Sequence, residues 1–551
     1  VKLALGSHNL RSIAVALALL EQRGLPQEAI ELQMLHGMAD QLKAVAVQRG
    51  MRLREYVPVG EMIPGMAYLV RRLLENTSNE SWLRGSSAGS ISPADQLAAP
   101  HGEDPATDPG IARISEAPER HAMTPGIAGL ADERPFFTEP FRDFAQADQR
   151  EAFGQAVAAA QVPAVSIDAT SEDANAALAA ATAAFPAWRD TPVKERAAML
   201  CACADLMRSR RDMLSGVIIR ESGKTWREAD GDVCEAIDFL EYYARQAIGL
   251  FEPRRIGQFI GELDTEFQEP RGVAVIISPW NFPLAICCGM SVAALVTGNT
   301  TIIKPAEQTP GIAKMLVDML HESGVPRDVV QFVPGKGETV GAQLVRDART
   351  SLVAFTGSKA VGLDIVQACG AVGDEQGWVK RVICEMGGKN AIIVDTSADL
   401  DEAVLGVRDS AFNFQGQKCS ACSRVIVVGS AYQEFVNRLI PSVETLTVGD
   451  PLHPGTDIGP VIDEEAAAKI RSYIELGAQE GTLAAHVAVP DGLELTVGKP
   501  FVGPAVFTGI TQESRLAREE IFGPVLAVLK ADTFEQAIQM ANDSEYKLTG
   551  A

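Results

Sequence analysis

One cysteine has the neighbours that a nucleophilic thiol needs. Cys419 lies in Gly416-Gln417-Lys418-Cys419-Ser420-Ala421-Cys422, where glycine and small residues would let the backbone approach a substrate closely. A thiol attacks as the thiolate, which nearby backbone N–H groups or positive charge stabilise. A buried structural cysteine and a metal-binding or redox Cys-x-x-Cys pair are the alternatives, which spacing alone leaves open. No second pair and no suitably spaced histidine accompanies it, so we expect no metal site.

A glutamate and an asparagine could complete such chemistry. Glu385 comes at the end of an apolar strand and precedes two glycines. Ligands of α/β sheets bind at the carboxyl ends of strands, where this carboxylate could serve as general base. The alternative is a solvated turn carboxylate. Asn281 follows the predicted strand 272–277, and its amide could either donate to an oxyanion or simply form a turn.

Three segments at predicted strand ends are candidates for holding a dinucleotide. Lys304 ends a strand and Glu307 follows three residues later, so the pair could hydrogen-bond ribose hydroxyls. The glycine-rich segment 335–341 has a longer last gap than the common dinucleotide fingerprint and alone is a weak signal. Gly357 and Ser358 follow another strand, and Ser358 could begin a helix whose N-terminus attracts pyrophosphate.

Alternating strands and helices must position these residues. Strands at 3–6, 30–35 and 52–57 alternate with helical segments at 10–23, 38–49 and 62–75, which implies parallel strands. Residues 85–134 lack periodicity and are typical of a linker. Beyond them, helices at 172–186 and 193–222 lead into strands at 272–277, 300–304, 329–333, 352–355, 380–383 and 390–394. This alternation predicts a doubly wound α/β fold.

Composition narrows the class of protein. The chain has 551 residues and a net charge of −23, which makes it a poor nucleic-acid binder. Nine cysteines without disulfide-like spacing indicate reduced thiols in a cytoplasm-like compartment. The apolar stretch 283–297 is shorter than a membrane span and predicts a buried helix. Because the chain opens inside an apolar run without Met, and stops at Leu548-Thr549-Gly550-Ala551 before a plausible domain end, we expect a fragment cut at both ends.

Six motifs in this order resemble the aldehyde dehydrogenase superfamily, from about residue 135 onward. They are Ser278-Pro279-Trp280-Asn281-Phe282-Pro283, Lys304-Pro305-Ala306-Glu307, Phe355-Thr356-Gly357-Ser358, Glu385-Met386-Gly387-Gly388, Gly416-Gln417-Lys418-Cys419 and Glu519-Glu520-Ile521-Phe522-Gly523-Pro524. The resemblance implies a Rossmann-like NAD domain at 135–386 and an α/β catalytic domain at 387–551.

The same resemblance implies a role for each motif. Cys419 would be the nucleophile, Glu385 the general base and Asn281 the oxyanion donor. The implied cofactor is NAD; the sequence leaves NADP open, and Glu307 beside the ribose site and the family both favour NAD. Its implied contacts are Lys304 and Glu307 at the adenosine ribose, Gly357 and Ser358 at the phosphates, Glu520 at the nicotinamide ribose, Phe522 near the nicotinamide, and Ser278 and Trp280.

The segment around Cys419 further resembles the 1-pyrroline-5-carboxylate dehydrogenases, which oxidise L-glutamate γ-semialdehyde. That resemblance implies that Ser420, Gly550 and Ala551 bind the amino-acid end of the substrate, since backbone N–H groups at the last two would suit a carboxylate. Phe282 and Glu235 are weaker assignments to the same substrate site. A broad-specificity aldehyde dehydrogenase and a non-catalytic or regulatory homologue are the alternatives.

Residues 1–84 hold a pair of neighbouring arginines, Arg71 and Arg72, one turn after Tyr68. Paired guanidinium groups suit carboxylate recognition, although a solvated basic helix face is the alternative. The segment resembles the C-terminal part of the proline dehydrogenase (β/α)8 barrel. Its matching residues are Gly6-Ser7-His8-Asn9, Tyr56-Val57-Pro58-Val59-Gly60, Tyr68, Arg71-Arg72 and Glu75-Asn76. This implies that the arginines hold the proline carboxylate, Tyr56 and Tyr68 line that site, and His8 and Asn9 lie beside FAD.

A proline dehydrogenase tail ahead of this aldehyde dehydrogenase resembles the bifunctional proline utilization A family. The resemblance implies that the parent protein oxidises proline with FAD and then oxidises the product with NAD. We expect the FAD site to be incomplete in this fragment. We also expect a homo-oligomer in the intact protein, a cytoplasmic location, peripheral contact of the parent with the inner membrane face, and no nucleic acid bound by this region.

Overall fold

The structure is a computed structural model that describes residues 3–57, 136–257, 259–373 and 376–551. The chain forms two compact units, Val1–Ala122 and Met123–Ala551. The predicted helix 62–75 and the predicted linker 85–134 lie outside the described residues. So do Tyr68, Arg71 and Arg72.

The first unit contains a parallel three-stranded sheet, as its alternating pattern predicts. Its strands pair in the order β1-β2-β3. Ile13 of the first helix packs on Leu32 and Met34 of the central strand, together with Ala46 of the second helix. The described elements are β1 (Leu3–Gly6), α1 (Leu10–Gln22), β2 (Ile30–Leu35), α2 (Asp40–Gln48) and β3 (Leu53–Tyr56), with a 3-10 turn at Gln27–Ala29.

Four helices open the described part of the second unit. They are α3 (Ala147–Ala159), α4 (Ser171–Asp190), α5 (Val193–Ser222) and α6 (Trp226–Leu250). Thr170 and Asp173 form a capping box at the start of α4. The prediction ended this helix at Pro186, yet it continues for another turn. Trp188 explains the difference, because its buried ring and its Nε1–H bond to the Leu295 carbonyl (3.1 Å) hold the last turn in place.

A five-stranded parallel sheet follows. Its elements are β6 (Val273–Ile277), α7 (Ala285–Val296), β7 (Thr300–Lys304), α8 (Pro310–Glu322), β8 (Val330–Phe332), α9 (Ala342–Arg346), β9 (Thr350–Thr356), α10 (Lys359–Gly370) and β10 (Arg381–Glu385). The strand order is β10-β9-β6-β7-β8, so the chain winds outward from β6 in both directions. This doubly wound order confirms the predicted fold class. It places a topological switch point between β6 and β9, where ligands of such sheets bind.

A second five-stranded sheet completes this unit. Its elements are β11 (Asn390–Val394), α11 (Leu400–Phe412), β12 (Cys422–Val428), α12 (Ala431–Glu444), α13 (Glu464–Glu480), β13 (Thr482–His486), α14 (Leu493–Val497), β14 (Ala505–Thr508), α15 (Arg515–Arg518), β15 (Val525–Ala531) and α16 (Phe534–Asn542). The strand order is β11-β12-β15-β14-β13, and only the last pair is antiparallel.

Two smaller features remain. The hairpin strands β4 (Arg254–Arg255) and β5 (Thr265–Glu266) stand between α6 and the first sheet in the sequence. The predicted buried helix at 283–297 is α7, most of whose residues are buried. Among the described residues, the helices are all too short or too polar to cross a lipid bilayer.

Candidate active site

A cavity of about 680 Å³ opens at the carboxyl ends of β6, β7 and β9, at the switch point of the first sheet. It extends to the second sheet, which contributes Cys419 and the segment 520–522. The predicted site residues that line it are Ser278, Trp280, Asn281, Lys304, Glu307, Gly357, Ser358, Cys419, Glu520 and Phe522. Both sheets are therefore needed to form this site.

Lys304 and Glu307 form one wall of the cavity. The Lys304 ammonium lies 3.6 Å from the Glu307 carboxylate, and burial lowers the pKa of the lysine. Glu307 also accepts the Gly337 N–H at 2.9 Å, which ties the glycine-rich segment to the pair. That segment forms a single π-helical turn at Gly337–Gly341 and does not itself line the cavity. A carboxylate held this way can accept from ribose hydroxyls.

The turn after β9 supplies backbone donors. Ser358 caps α10 by accepting the Val361 N–H, so the N-terminal N–H groups of this helix face the cavity end of the sheet. Such a helix start favours an anionic group. Gly357 N–H donates to the Glu385 carbonyl at 3.1 Å, which joins this turn to the end of β10. The donor set therefore fits a dinucleotide pyrophosphate.

Glu520 and Phe522 approach from the second sheet. Burial raises the pKa of the Glu520 carboxyl, and one of its oxygens accepts the Gly388 N–H at 2.8 Å. A Cβ on Gly387 would lie 2.3 Å from the same carboxylate, so any other residue there would displace the Glu520 side chain. The Phe522 ring stands edge-on to Trp280, with 5.5 Å between the ring centroids. These groups form a flat, partly apolar slot near Cys419.

The backbone turn before Cys419 is left-handed over three consecutive residues. Phe414, Gln415 and Gly416 have φ values of 48°, 55° and 64°. Two of them are not glycine, so this conformation is strained. A Cβ on Gly416 would lie 2.4 Å from the Gly523 carbonyl oxygen. The turn thus brings the nucleophile segment against the residue that follows Phe522.

Asn281 lies beside this turn and is almost fully buried. Its Nδ2–H donates to the Gln417 carbonyl at 3.0 Å, two residues before the nucleophile. Gln417 in turn accepts the Ile462 N–H through its side chain, at 2.9 Å. An amide has two N–H groups, and this contact uses one of them. Asn281 and Cys419 both line the cavity, and the role of the second N–H as an oxyanion donor stays a prediction.

Opposing influences act on the thiol of Cys419. Burial raises its pKa above the ordinary value, and the negative charges of Glu385 and Glu520 act in the same direction. The backbone N–H groups of Ser420 and of Cys419 itself lower it. Glu385 is the last residue of β10, which ends two residues later than the predicted strand at 380–383. Its carboxylate is exposed and is not part of the cavity lining.

The raised pKa predicts how the thiol responds to pH. Only the thiolate is alkylated, so the rate should rise tenfold per pH unit until the pKa is reached. We expect iodoacetamide labelling of Cys419 without cofactor to keep rising above pH about 8.5, the ordinary cysteine value. Peptide mass spectrometry would follow the label, with N-acetylcysteine as the unperturbed reference. A rate that levels off below the reference would contradict this expectation.

A buried ion pair lies beside the ring of Phe282. Lys224 donates to Asp232 at 2.9 Å, and both side chains are fully buried. The Lys224 ammonium also lies 3.7 Å from the centroid of the Phe282 ring, a cation–π contact that fixes the ring. Lys418, next to the nucleophile, pairs with Glu228 at 2.7 Å. Phe282 is therefore held between two lysines.

Glu235 lies on the same helix as Glu228 and Asp232, which is α6. Burial raises the pKa of its carboxyl, and Asp232 adds to this effect while Lys224 and Lys418 oppose it. The predicted residues Phe282 and Glu235 thus share two neighbours, Lys224 and Lys418.

Ser420, Gly550 and Ala551 were predicted to hold a carboxylate. Gly550 pairs with Ala391 at the edge of the second sheet, and Ala551 N–H donates to the Ala391 carbonyl at 3.1 Å. The Ala551 N–H is therefore engaged in the sheet, contrary to the expectation that it faces a substrate. Ile393 N–H also donates to the Ala551 carbonyl, so Ala551 is paired with the edge strand β11 through both its N–H and its carbonyl.

The described site residues of the first unit have structural contacts. His8 accepts the Leu35 N–H at 3.0 Å through Nε2, and burial lowers the pKa of its imidazole. Asn9 caps α1 through its side chain. Tyr56 ends β3 with an exposed ring. The assignment of His8 and Asn9 to positions beside FAD, and of Tyr56 to the proline site, stays a prediction.

Several cavity residues carried no usable signal in the sequence. The start of α13 contributes Asp463, Glu465, Ala466 and Lys469, and the loop after β7 contributes Gln308. Asp463 before an alanine-rich helix predicts an N-cap, which it is, but nothing in the pattern says that the helix faces the cavity. Gln308 donates to Asp463 at 3.2 Å, linking the two sheets' segments across the opening.

Two family models match the chain. The model of the aldehyde dehydrogenase family matches residues 147–551, and that of proline dehydrogenase matches residues 1–85. Among curated proteins, the 1-pyrroline-5-carboxylate dehydrogenase of Geobacillus thermodenitrificans is 45% identical over 383 residues, covering 70% of this chain and 73% of that protein. The enzyme of the same name from Bacillus subtilis is 40% identical over 445 residues, covering 75% and 85%.

Solved structures similar to this chain agree with the two family matches. Proline utilization A from Bdellovibrio bacteriovorus, inactivated by N-propargylglycine, is 42% identical with a TM-score of 0.80, and the match covers 100% of this chain. The chain spans 58% of the length of that protein. A 1-pyrroline-5-carboxylate dehydrogenase from Thermus with bound NAD is 40% identical with a TM-score of 0.71, covering 76% of this chain and 86% of the other.

Proposed function

The chain belongs to the aldehyde dehydrogenase family, and on that premise we propose that it oxidises L-glutamate γ-semialdehyde, formed from 1-pyrroline-5-carboxylate, to L-glutamate with NAD⁺. One observation supports the chemistry above all others. A single cavity brings the paired Lys304 and Glu307, the start of α10 and Glu520 to one side of Cys419. The substrate is supported by relatives named 1-pyrroline-5-carboxylate dehydrogenase at 40% identity or more.

The first half of the proposed mechanism forms a thioester. The Cys419 thiolate attacks the aldehyde carbon, and the Asn281 amide and the Cys419 N–H stabilise the oxyanion. Lys304 and Glu307 would hold the adenosine ribose of NAD⁺, Gly357 and Ser358 its phosphates, and Glu520 its second ribose. When bound, NAD⁺ supplies the hydride acceptor. Trp280 and Phe522 exclude water on the cofactor side of the sulfur.

The second half releases the acid. Glu385 takes a proton from a water molecule that attacks the thioester, and the sulfur leaves as thiolate. The backbone carbonyl of Glu385 accepts the Gly357 N–H, so the end of β10 is anchored to the turn at Gly357 and Ser358. Because the carboxylate is exposed, it can exchange the proton with solvent before the next cycle. Ser420 and the backbone at Gly550 would hold the amino-acid end of the substrate, without a donor from Ala551, whose N–H is engaged by Ala391.

The proposal extends to the organisation of the intact protein. We place the border between the NAD domain and the catalytic domain at 386–387, between the last strand of the first sheet and the first strand of the second. Residues 1–84 would belong to an FAD-dependent proline dehydrogenase, which supplies the substrate. A homo-oligomer is supported by the exposed apolar side chains of the β4–β5 hairpin, among them Ile256, Phe259 and Leu263.

Substrate preference tests the proposal. We expect NADH formation by the intact protein to be much faster with 1-pyrroline-5-carboxylate than with propanal, because only the former carries the charged end that Ser420 and Glu235 would face. Absorbance of NADH is the readout. Equal rates would keep the dehydrogenase chemistry and replace the substrate by a broad range of aldehydes. Turnover of neither would favour a non-catalytic homologue.

A further inference from the structure

The segment between Glu385 and β11 contacts both Glu520 and the nucleophile segment. Its Gly388 N–H donates to Glu520, as described above. A Cβ on Gly388 would lie 2.2 Å from the Cys419 carbonyl oxygen, so this segment and the nucleophile segment are in direct contact. The next side chain to face the nucleophile segment is that of Asn390, which is 5% exposed.

The Asn390 side chain joins two segments that are far apart in the sequence. Its Nδ2 donates to the Cys419 carbonyl at 2.7 Å and to the Ala421 carbonyl at 3.0 Å. Its Oδ1 accepts the Thr549 N–H at 3.3 Å. Both ends of one buried amide are thus engaged, one on the nucleophile segment and the other at the start of the Gly550–Ala551 segment.

The bond to the Cys419 carbonyl has a consequence at the sulfur. In a trans peptide, the C=O of one residue and the N–H of the next point in opposite directions. The carbonyl of Cys419 and the N–H of Ser420 belong to the same peptide. The Ser420 N–H is also one of the two backbone N–H groups that lower the pKa of the Cys419 thiol. A group that fixes the carbonyl therefore fixes the direction of this donor.

We propose that Asn390 is a positioning residue, whose amide holds the Cys419–Ser420 peptide so that the Ser420 N–H points at the nucleophilic sulfur. The inference rests on the proposed role of Cys419. It also couples the nucleophile to the Thr549–Ala551 segment, since the same amide carries the Thr549 bond. Asn390 is not part of the cavity lining, so it acts through the peptide.

Other groups around the sulfur do not replace this effect. Glu385, at the end of β10, and Glu520, after α15, both oppose the thiolate. Lys418 is turned toward Glu228 on α6 and pairs with it there. The backbone N–H groups are therefore the main groups that favour the thiolate, and their direction matters for its population.

The test measures the pH profile of Cys419 alkylation in Asn390→Leu, which has a similar shape but no donor. Without the Asn390 donor, the Ser420 N–H should lose its favourable direction toward the Cys419 thiolate. The loss of such an interaction with a charged group should raise the apparent pKa of Cys419 by about one unit, or slow its labelling about tenfold at neutral pH. Site-resolved mass spectrometry of the intact protein gives the rate. Asn390→Asp also lacks the donor and keeps the acceptor for Thr549, but it adds charge. The part of the shift common to both variants belongs to the donor.

Ser423→Ala is the matched control, because Ser423 Oγ donates to the Asn390 backbone carbonyl at 3.4 Å and not to its side chain. It should leave the profile unchanged. NAD binding, followed by protein fluorescence, checks the fold of each variant. An unshifted profile in either Asn390 variant that still binds NAD overturns the inference.

The outcome is separable from that of the proposed function. Alkylation needs no turnover, so the profile reports on the peptide even if the reaction is misassigned. If Cys419→Ser retains activity, the proposed function fails while the shift in the profile can still be seen. If Cys419→Ser is inactive and the profile does not move, only the positioning role is lost.

Discussion

Cys419→Ser is expected to reduce NADH formation by on the order of 10³-fold or more. A serine hydroxyl is far less acidic than a thiol, and the contacts of Cys419 include two carboxylates that oppose a negative charge at this position. Backbone N–H donors alone cannot stabilise the alkoxide of this serine enough to deprotonate its hydroxyl. NAD binding should be retained, because Lys304, Glu307 and Glu520 remain in place. Steady-state rates with 1-pyrroline-5-carboxylate and NAD titration by fluorescence would measure the two effects.

Cys384→Ser is the control for this substitution. Cys384 is the other partly exposed cysteine among the described residues, and its sulfur contacts the Gly362 carbonyl at 3.7 Å. A serine hydroxyl can keep that contact, so activity should stay close to that of the unmodified protein. Retained turnover in Cys419→Ser, or a comparable loss in Cys384→Ser, would show that the nucleophile is misassigned.

Glu385→Gln should separate the two halves of the reaction. Thioester formation does not need the carboxylate, whereas hydrolysis loses its base and should slow by about 10²- to 10⁴-fold. We therefore expect a rapid burst of about one NADH per site, followed by a slow steady rate. The amide keeps the size of the carboxyl group and leaves the Gly357 bond to the backbone carbonyl intact. Rapid-mixing absorbance of NADH would resolve the phases.

The matching control is Glu402→Gln, an exposed carboxylate in the first turn of α11. It has the same change of charge in the same unit and should leave both phases as they are. A steady rate in Glu385→Gln equal to that of the unmodified protein would assign the base elsewhere. Loss of the burst as well would place Glu385 in the first half of the reaction.

The sequence predicts the cofactor side of the site better than the substrate side. Lys304, Gly357 and Ser358 follow continuous apolar runs, and such runs become parallel strands whose carboxyl ends meet at one edge. Their convergence follows from the strand order. The aldehyde dehydrogenase and proline dehydrogenase resemblances are both confirmed by the family matches.

Contacts between distant segments were not predictable in this way. Pro186 is a sound signal to end a helix, but the burial of Trp188 against α7 overrides it. Lys224 has no neighbour in sequence that would place its ammonium over the Phe282 ring. The engagement of the Ala551 N–H depends on which edge of the second sheet is unpaired, and local pattern does not reveal this.

The left-handed turn before Cys419 sets stability against activity. A non-glycine residue in this conformation costs about 1–3 kcal/mol, and Phe414 and Gln415 both adopt it. Glycine at either position would relieve the strain. It would also make the backbone turn that positions Cys419 more flexible. Such changes would be favoured by selection for stability at high temperature and disfavoured by selection for turnover. Thermostable variants of this enzyme should therefore acquire their substitutions elsewhere and leave this turn as it is.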